Sequence, residues 1–433
     1  MNVHFAFGKS GLCVELPAGF SYRVLEAQSA LALRDPRSAI ERALDSPIAS
    51  LPLAKLAAGK ASAAISICDI TRPAPNRDVL PPVLARLEAA GIRREKITIL
   101  IATGLHRPAT EFEVPEICGE TIPLNFRVLN HHARQASEHQ DLGRTTSGTP
   151  VSIDARFVSA DLRITLGFIE PHLMLGFSGG RKLVAPGLAA AQTIEVLHSP
   201  KFMRDPRAIE GSIERNPLHH ELLEIAQMAR HDFMIDVSLT RSQNGAQRSI
   251  AGVFAGDPIK AHRKGVEFVA RTMLETVPEL ADAVITSAAG YPLDLTFYQS
   301  IKGITASSHV VKQDGRILLI AACEEGAGGR EFAMMLRENR SGREFLRKIA
   351  EAPVVPDQWQ LEKLALVTAL NPVSYYVPGL PQEYHSCLWG NVHASVEDAV
   401  RSLTADLPAN AQIALIPEGP YVLARARANG NSH

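Results

Sequence analysis

The stretch from Gly167 to Pro200, GFIEPHLMLGFSGGRKLVAPGLAAAQTIEVLHSP, concentrates side chains that do chemistry. It carries two histidines, His172 and His198, and between them a Ser178-Gly179-Gly180 turn followed by Arg181 and Lys182. Histidine passes protons near neutral pH or ligates a transition metal. Lysine supplies a point charge or, when its pKa is depressed, a nucleophilic amine. A glycine turn lets the main chain approach an anion closely, because no Cβ intervenes. The strand-like run LRITLGFI leads in and the helix-like run AAQTIEVLH leads out. Strand, turn and helix start together aim backbone N–H groups at an anion. The stretch is therefore predicted to hold a phosphorylated, metal-bearing cofactor. GGRK lacks the GxxxxGK[ST] spacing of a nucleoside-triphosphate loop, so the density of such residues, not a motif, carries this reading.

These residues need elements to position them. ASAAISICDI (61–70) and KITILIAT (96–103) are nearly continuous apolar runs, the pattern of parallel strands buried on both faces. With DLRITLGFIE, they end in Asp69 and Arg72, in His106, and in Glu170 and His172. Ligands of α/β folds bind beyond the C-terminal ends of the strands, so the three ends predict one shared rim. PPVLARLEAAG (81–91) reads as a helix started by proline and stopped by glycine. Thr110 and Glu113 have the spacing of a capping box. Residues 1–20 read as a β-hairpin and 37–57 as helical. Helices and strands alternate from 200 to 280, and a domain change is expected near 272–281. IKGITASSHVV reads as a helix, and Lys302, four residues after Tyr298, shares a helix side with it. Trp359 stands near the start of the helix-like DQWQLEKLALV, and the tail ARARANGNSH is expected to be disordered.

The fold class read from this pattern is α/β, with two α/β domains and an interdomain active-site cleft. The domains are drawn at 1–275, carrying the cofactor, and 276–433, closing over the site, with the last residues packing back on the first. The 433-residue length suits two or three domains. A net charge of −1 gives no global field toward nucleic acid or an anionic membrane. No apolar run approaches the ~18 residues of a membrane span. The N-terminus lacks the sections of a signal peptide. Five scattered cysteines without a CxxC suit reduced thiols in a cytoplasm and argue against structural zinc.

The series DITR (69–72), TGLHRP (103–108), EPHLMLGFSGGRK (170–182), LHSP (197–200), YQSIK (298–302) and DQW (357–359) resembles the nickel-dependent lactate racemase family. That resemblance implies a two-domain α/β protein with its site between the domains. It implies a nickel pincer nucleotide, a pyridinium mononucleotide whose two sulfurs and one ring carbon bind nickel, loaded by cofactor-synthesis proteins. His198 stands at the family's nickel-ligating histidine. Lys182 stands at a lysine that some members join to the cofactor by a thioamide. Ser178, Gly179 and Gly180 would hold the nucleotide phosphate. His106 and His172 match the acid–base pair, which inverts a secondary alcohol carbon from both faces. Arg72 and Lys302 match cationic positions for a substrate carboxylate, and Arg72 also borders the cofactor. Asp69 would orient Arg72 or a histidine. Tyr298, Gln299 and Trp359 would contact cofactor or substrate.

The resemblance implies a 2-hydroxyacid racemase or epimerase acting on a small molecule such as lactate. A larger sugar acid or aromatic hydroxy acid would need the same residues. A non-catalytic nucleotide or metal sensor would need neither His106 nor His172. A zinc hydrolase is disfavoured because the chain has no HxxxH or HxH cluster.

Overall fold

Short apolar strands alternating with amphipathic helices condense here into two six-stranded sheets. A computed structural model describes residues 1–28, 30–240 and 248–426. The first sheet runs in the order Ile250–Gly256, Phe233–Leu239, Leu162–Phe168, Ala63–Cys68, Ile97–Ala102, Arg127–Asn130. Every pairing is parallel except that of the edge strand Ile250–Gly256. Its three central strands are buried at every position, as their unbroken apolar runs require. One apolar core joins Ile65, Ile99, Ile164 and Ile235 to the helix Asn76–Ala89. A second, on the opposite face, joins Ala64 and Leu100 to Ile194, Leu197 and the helix Pro217–Met228.

The second sheet is parallel throughout, in the order Asn391–Val392, Val373–Tyr376, Val311–Ile320, Ala281–Ser287, Gln412–Ile416, Ser21–Val24. The helix Phe297–Ser307 packs on it through Phe297, Ile301 and Ile304.

The chain ends cross between the two units. The hairpin Asn2–Phe5/Leu12–Glu15 forms, and its Val3, Phe5 and Val14 pack against Ile285, Leu318 and Leu415 of the second sheet. Together with Ser21–Val24, this places the start of the chain with the second sheet, not in a unit spanning 1–275. The partner of Ser21–Val24 is Gln412–Ile416, far away in sequence, so no local pattern could announce it. Leu423–Ala426, which runs into the tail read as disordered, is a strand parallel to Leu274–Val277. Leu423, just before that tail, lies against Ile169, Phe177 and Val269. Residues 427–433 of that tail lie outside the described residues.

Two helices begin earlier than their apolar runs suggest. Asn76–Ala89 encloses Pro81 and Pro82, because the stripe Val79, Leu80, Val83, Leu84, Leu87 is buried and outweighs two lost backbone bonds. Phe297–Ser307 starts where the Thr296 hydroxyl accepts the Gln299 N–H. The Thr110–Glu113 capping box forms in both directions. Among the described residues no helix is long and apolar enough to cross a membrane.

Candidate active site

The strands ending at Cys68, Ala102 and Phe168 open onto one rim, and the helix Phe297–Ser307 faces it from the second unit. Between them lies a cavity of about 430 Å³. The first unit contributes Asp69, Arg72, His106, His172, Ser178, Gly179, Lys182 and His198 to its wall. The second contributes Tyr298, Gln299, Lys302 and Trp359. Of the residues singled out from sequence, Gly180 alone does not line it.

The two candidate acid–base histidines are held in opposite senses. His106 sits on the loop after Ile97–Ala102, and its Nδ1 is 2.6 Å from Asp69 Oδ2. Burial pushes the Asp69 carboxyl up, but the hydrogen bond and charge of His106, then Arg72 and Thr71, pull it below its ordinary value. An ionised Asp69 accepts from Nδ1–H, which leaves a lone pair on Nε2. His172 sits on a two-residue strand, Pro171–His172, paired with Gly176–Phe177. Its Nδ1 accepts long hydrogen bonds from the N–H groups of Met174, 3.4 Å, and Leu175, 3.3 Å. A neutral ring so placed carries its proton on Nε2. Burial, then Lys182, Lys302 and Arg72, hold His172 well below the usual histidine pKa.

His198 caps the helix Ala191–Leu197. Its Nδ1–H donates to the Ile194 carbonyl at 2.8 Å, so Nε2 keeps its lone pair. Burial lowers its pKa to about 4, so the ring is neutral at working pH. Trp359 lies against it, ring centroids 4.3 Å apart. A neutral imidazole tied to a carbonyl through one nitrogen and open at the other is the usual state of a metal-ligating histidine.

Arg72, Lys182 and Lys302 gather on the same wall. Glu170 is the nearby carboxylate, and it is itself 3.5 Å from Arg248. Burial, then Arg72, lowers Lys302 to about 8. Burial, then Arg72, against the opposing pull of Glu170, lowers Lys182 to about 7. A cationic patch this dense favours an anionic ligand. At pH 7 roughly half of the Lys182 amine is unprotonated, whereas an ordinary lysine titrates near 10.4. Acylation of Lys182, followed by peptide mass mapping, is thus expected to rise from pH 6 and level off near pH 8. A Lys182 profile still rising toward pH 10 would contradict this.

Ser178 and Gly179 of the glycine turn line the cavity, and the turn also closes on the chain itself. Gly180 donates its N–H to Asp236 Oδ2 at 2.8 Å, and Ser178 donates its N–H to the Glu170 carbonyl at 2.9 Å. The Ser178 hydroxyl accepts from Glu170 N–H and donates to Phe168 O, both at 2.9 Å. A Cβ at Gly179, where φ is +87°, would lie 2.3 Å from Asp236 Oδ2. The group that these glycines admit is the chain's own Asp236 carboxyl, which burial raises to about 7. The element after the turn is a four-residue 3₁₀ turn, Gly180–Leu183, and the helix starts only at Ala191. Asp236 lies on the strand Phe233–Leu239, remote in sequence, and only the sheet order brings it under the turn.

Other wall residues were given no role from sequence: Arg134, Glu331, Gln360, and Asp357 at the start of the DQW run. Burial, then the charge of Asp357, raises the Tyr298 phenol pKa. Gln299 Oε1 and Gln360 Nε2 are buried without a partner, one acceptor and one donor left for a ligand. Gln360 directly follows the DQW run and was findable there. Among the described residues no three His, Cys, Asp or Glu side chains converge to cage a metal.

Family models add the decisive comparison. The lactate racemase N-terminal domain matches residues 7–211, and the lactate racemase C-terminal domain matches residues 277–424. This chain belongs to the lactate racemase family. Lactate racemase of Thermoanaerobacterium thermosaccharolyticum is 34% identical over 432 residues, covering 98% of this chain and 100% of that one. Lactate racemase of Lactiplantibacillus plantarum is 34% identical over 390 residues, covering 89% of this chain and 90% of the relative. The lactate racemase apoprotein structure from T. thermosaccharolyticum superposes with a TM-score of 0.91 at 33% identity, covering 98% of this chain and all of its own. A Thermotoga maritima protein shares the fold alone, with a TM-score of 0.66 at 17% identity over 92% of this chain and 100% of its own. Family membership makes the chain an isomerase, and the cavity is its candidate active site.

Proposed function

We propose that this chain inverts C2 of a small 2-hydroxy acid such as lactate, using a nickel pincer nucleotide. The observation that carries the reading is the pair of oppositely poised histidines beside a cationic wall. The residues fit the cofactor: His198 offers one neutral nitrogen, Lys182 a partly unprotonated amine, and Gln299 and Gln360 unpaired amide groups. When bound, such a group supplies a hydride acceptor and donor for the substrate carbon.

The chain's own residues do the rest. Arg72 and Lys302 bind the substrate carboxylate, the guanidinium by its two-pronged geometry. His106 Nε2, with its lone pair, takes the hydroxyl proton on one face. His172 serves the other face. The substrate carboxylate offsets Arg72 and Lys302, two of the cations that hold the His172 pKa down, which makes its imidazolium accessible. The backbone contacts at 3.3 and 3.4 Å are long, so little is lost when that ring takes its proton. The reverse reaction exchanges the two roles. Closure of the second unit over the cavity would exclude water from the reacting carbon.

Free thiols at all five cysteines support a cytoplasmic setting, where cofactor-synthesis proteins would load the chain. A larger hydroxy acid is a second reading, supported by the polar wall of Glu331, Asp357 and Gln360 beyond the reacting groups. Reaction in deuterated water with unlabelled substrate tests the chemistry. The inverted carbon is expected to keep its protium. Deuterium entering C2 at the rate of inversion would mean proton abstraction from carbon, and would overturn the hydride reading with its cofactor.

A further inference from the structure

Two helices of the second unit carry cavity residues, and each is tied to the first unit one turn behind them. On Phe297–Ser307, Lys302 lines the cavity and Thr305 donates its hydroxyl to Glu210 Oε1 at 2.9 Å. On Gln358–Thr368, Trp359 lines the cavity, and Lys363, four residues on, shares its helix side. Lys363 is only 6% exposed, and its ammonium donates to the carbonyls of Met203 at 2.9 Å and Ala208 at 2.8 Å. We propose that Lys363 is a positioning residue: it seats the helix Gln358–Thr368 on the first unit so that Trp359 meets His198. Its effect on turnover rests on the reading above, whereas the contact itself does not.

The carbonyls that Lys363 gathers belong to the chain just past His198. The short helix Pro200–Met203 follows that histidine, and Met203 and Ala208 are both buried. Arg204, between them, donates from Nε to Glu362 at 2.8 Å, on the same helix as Lys363. Burying an ammonium costs more than burying an apolar side chain, so packing alone would not call for lysine here. What the ammonium adds is direction. Turning the helix by one residue, about 100°, would withdraw it from both acceptors. His198 depends on that register. Its ring is held through Nδ1 by the Ile194 carbonyl, and a ring held at one atom is free to swing about that bond. Trp359, with ring centroids 4.3 Å away, leans on it and fixes where Nε2 points.

Lys363 is not needed to neutralise its neighbours. Of the carboxylates around it, Glu210 has His309, Glu362 has Arg204 and Asp205 has Arg207. A neutral side chain at this position is therefore expected to leave the fold standing.

The test places Lys363→Met in the full chain carrying Trp389→Phe, which leaves Trp359 as the sole tryptophan; the chain with Trp389→Phe alone is the reference. Without cofactor, the Trp359 emission is expected to shift to the red and to become more open to acrylamide quenching, with circular dichroism unchanged. Co-produced with the cofactor-synthesis proteins, the same variant should lose about 10²-fold in kcat, the cost of a misplacement of roughly 1 Å caused away from the chemistry. KM should stay near the reference value, because Arg72 and Lys302 lie on other elements. Lys363→Arg, which keeps a cation with donors for both carbonyls, should recover part of both losses. Arg204→Gln, at a side chain 34% exposed, should shift Trp359 the same way by less, and it decides the matter if Lys363→Met does not fold. An unshifted Trp359 would overturn the seat, and a shifted Trp359 with full turnover would overturn the positioning role. A reference chain inactive on every 2-hydroxy acid would defeat the functional reading instead, and the emission of the cofactor-free chain would still decide the seat.

Discussion

Replacing His106 or His172 with glutamine is expected to slow interconversion about 10²–10⁴-fold in both directions, the usual contribution of a positioned general acid or base. Each full inversion needs a base on one face and an acid on the other, so neither histidine can be spared by reversing the reaction. The fold should survive. The His106 side chain is 47% exposed, and His172 is held by two long bonds. Thermal unfolding of both variants is therefore expected near the wild-type midpoint. Asp69→Asn isolates the electrostatic half of the argument. An amide can no longer demand a proton on His106 Nδ1, so the ring loses its fixed tautomer while its position is kept. The analogous change in a serine-protease triad costs about 10⁴-fold, and a comparable loss is expected here. Either histidine variant turning over at a tenth of the wild-type rate would remove it from the acid–base role.

Much of this site is legible in the sequence. The ends at Asp69, His106 and His172 share a rim because buried parallel strands announce themselves as apolar runs, and the residues just past each run must lie at the sheet's edge. Tyr298 and Lys302 meet the cavity because helical spacing puts them on one side. The glycine turn is only half legible, for a physical reason. Glycine reports only that something comes close. It does not say whether that is a ligand or the chain's own carboxylate, and Asp236 arrives through a parallel pairing between Leu162–Phe168 and Phe233–Leu239. The start of the chain misleads for the same reason, since Ser21–Val24 finds its partner at the other end of the sequence. Local pattern gives elements and the residues at their tips. Non-local pairing decides which tips meet.

Removing the imidazole of His198 is expected to cost more than any other single change in metal content. The wild-type chain, co-produced with the cofactor-synthesis proteins and passed through gel filtration, should carry nickel together with a sulfur-rich nucleotide. His198→Ala should lower bound nickel at least tenfold, since even weakening the partners of a metal-ligating histidine costs about 10–100-fold. No thiolate on the wall can replace it. Cys68 is buried, and burial holds its thiol up at about 12, so it offers no thiolate. His106 and His172 are assigned to the reacting end. Trp359, against the His198 ring, can shield a metal but not ligate it. The organic part of the cofactor should behave differently from the metal. If Lys182 is bonded to it, His198→Ala keeps the nucleotide mass on the Lys182 peptide while losing nickel. If Lys182 only contacts it, both are lost together. Elemental analysis and intact-mass measurement on the same sample separate these outcomes. Zinc at full occupancy without nickel would defeat the metal assignment, because a single imidazole beside a pincer ligand suits a square-planar ion, whereas zinc asks for a tetrahedron of protein donors.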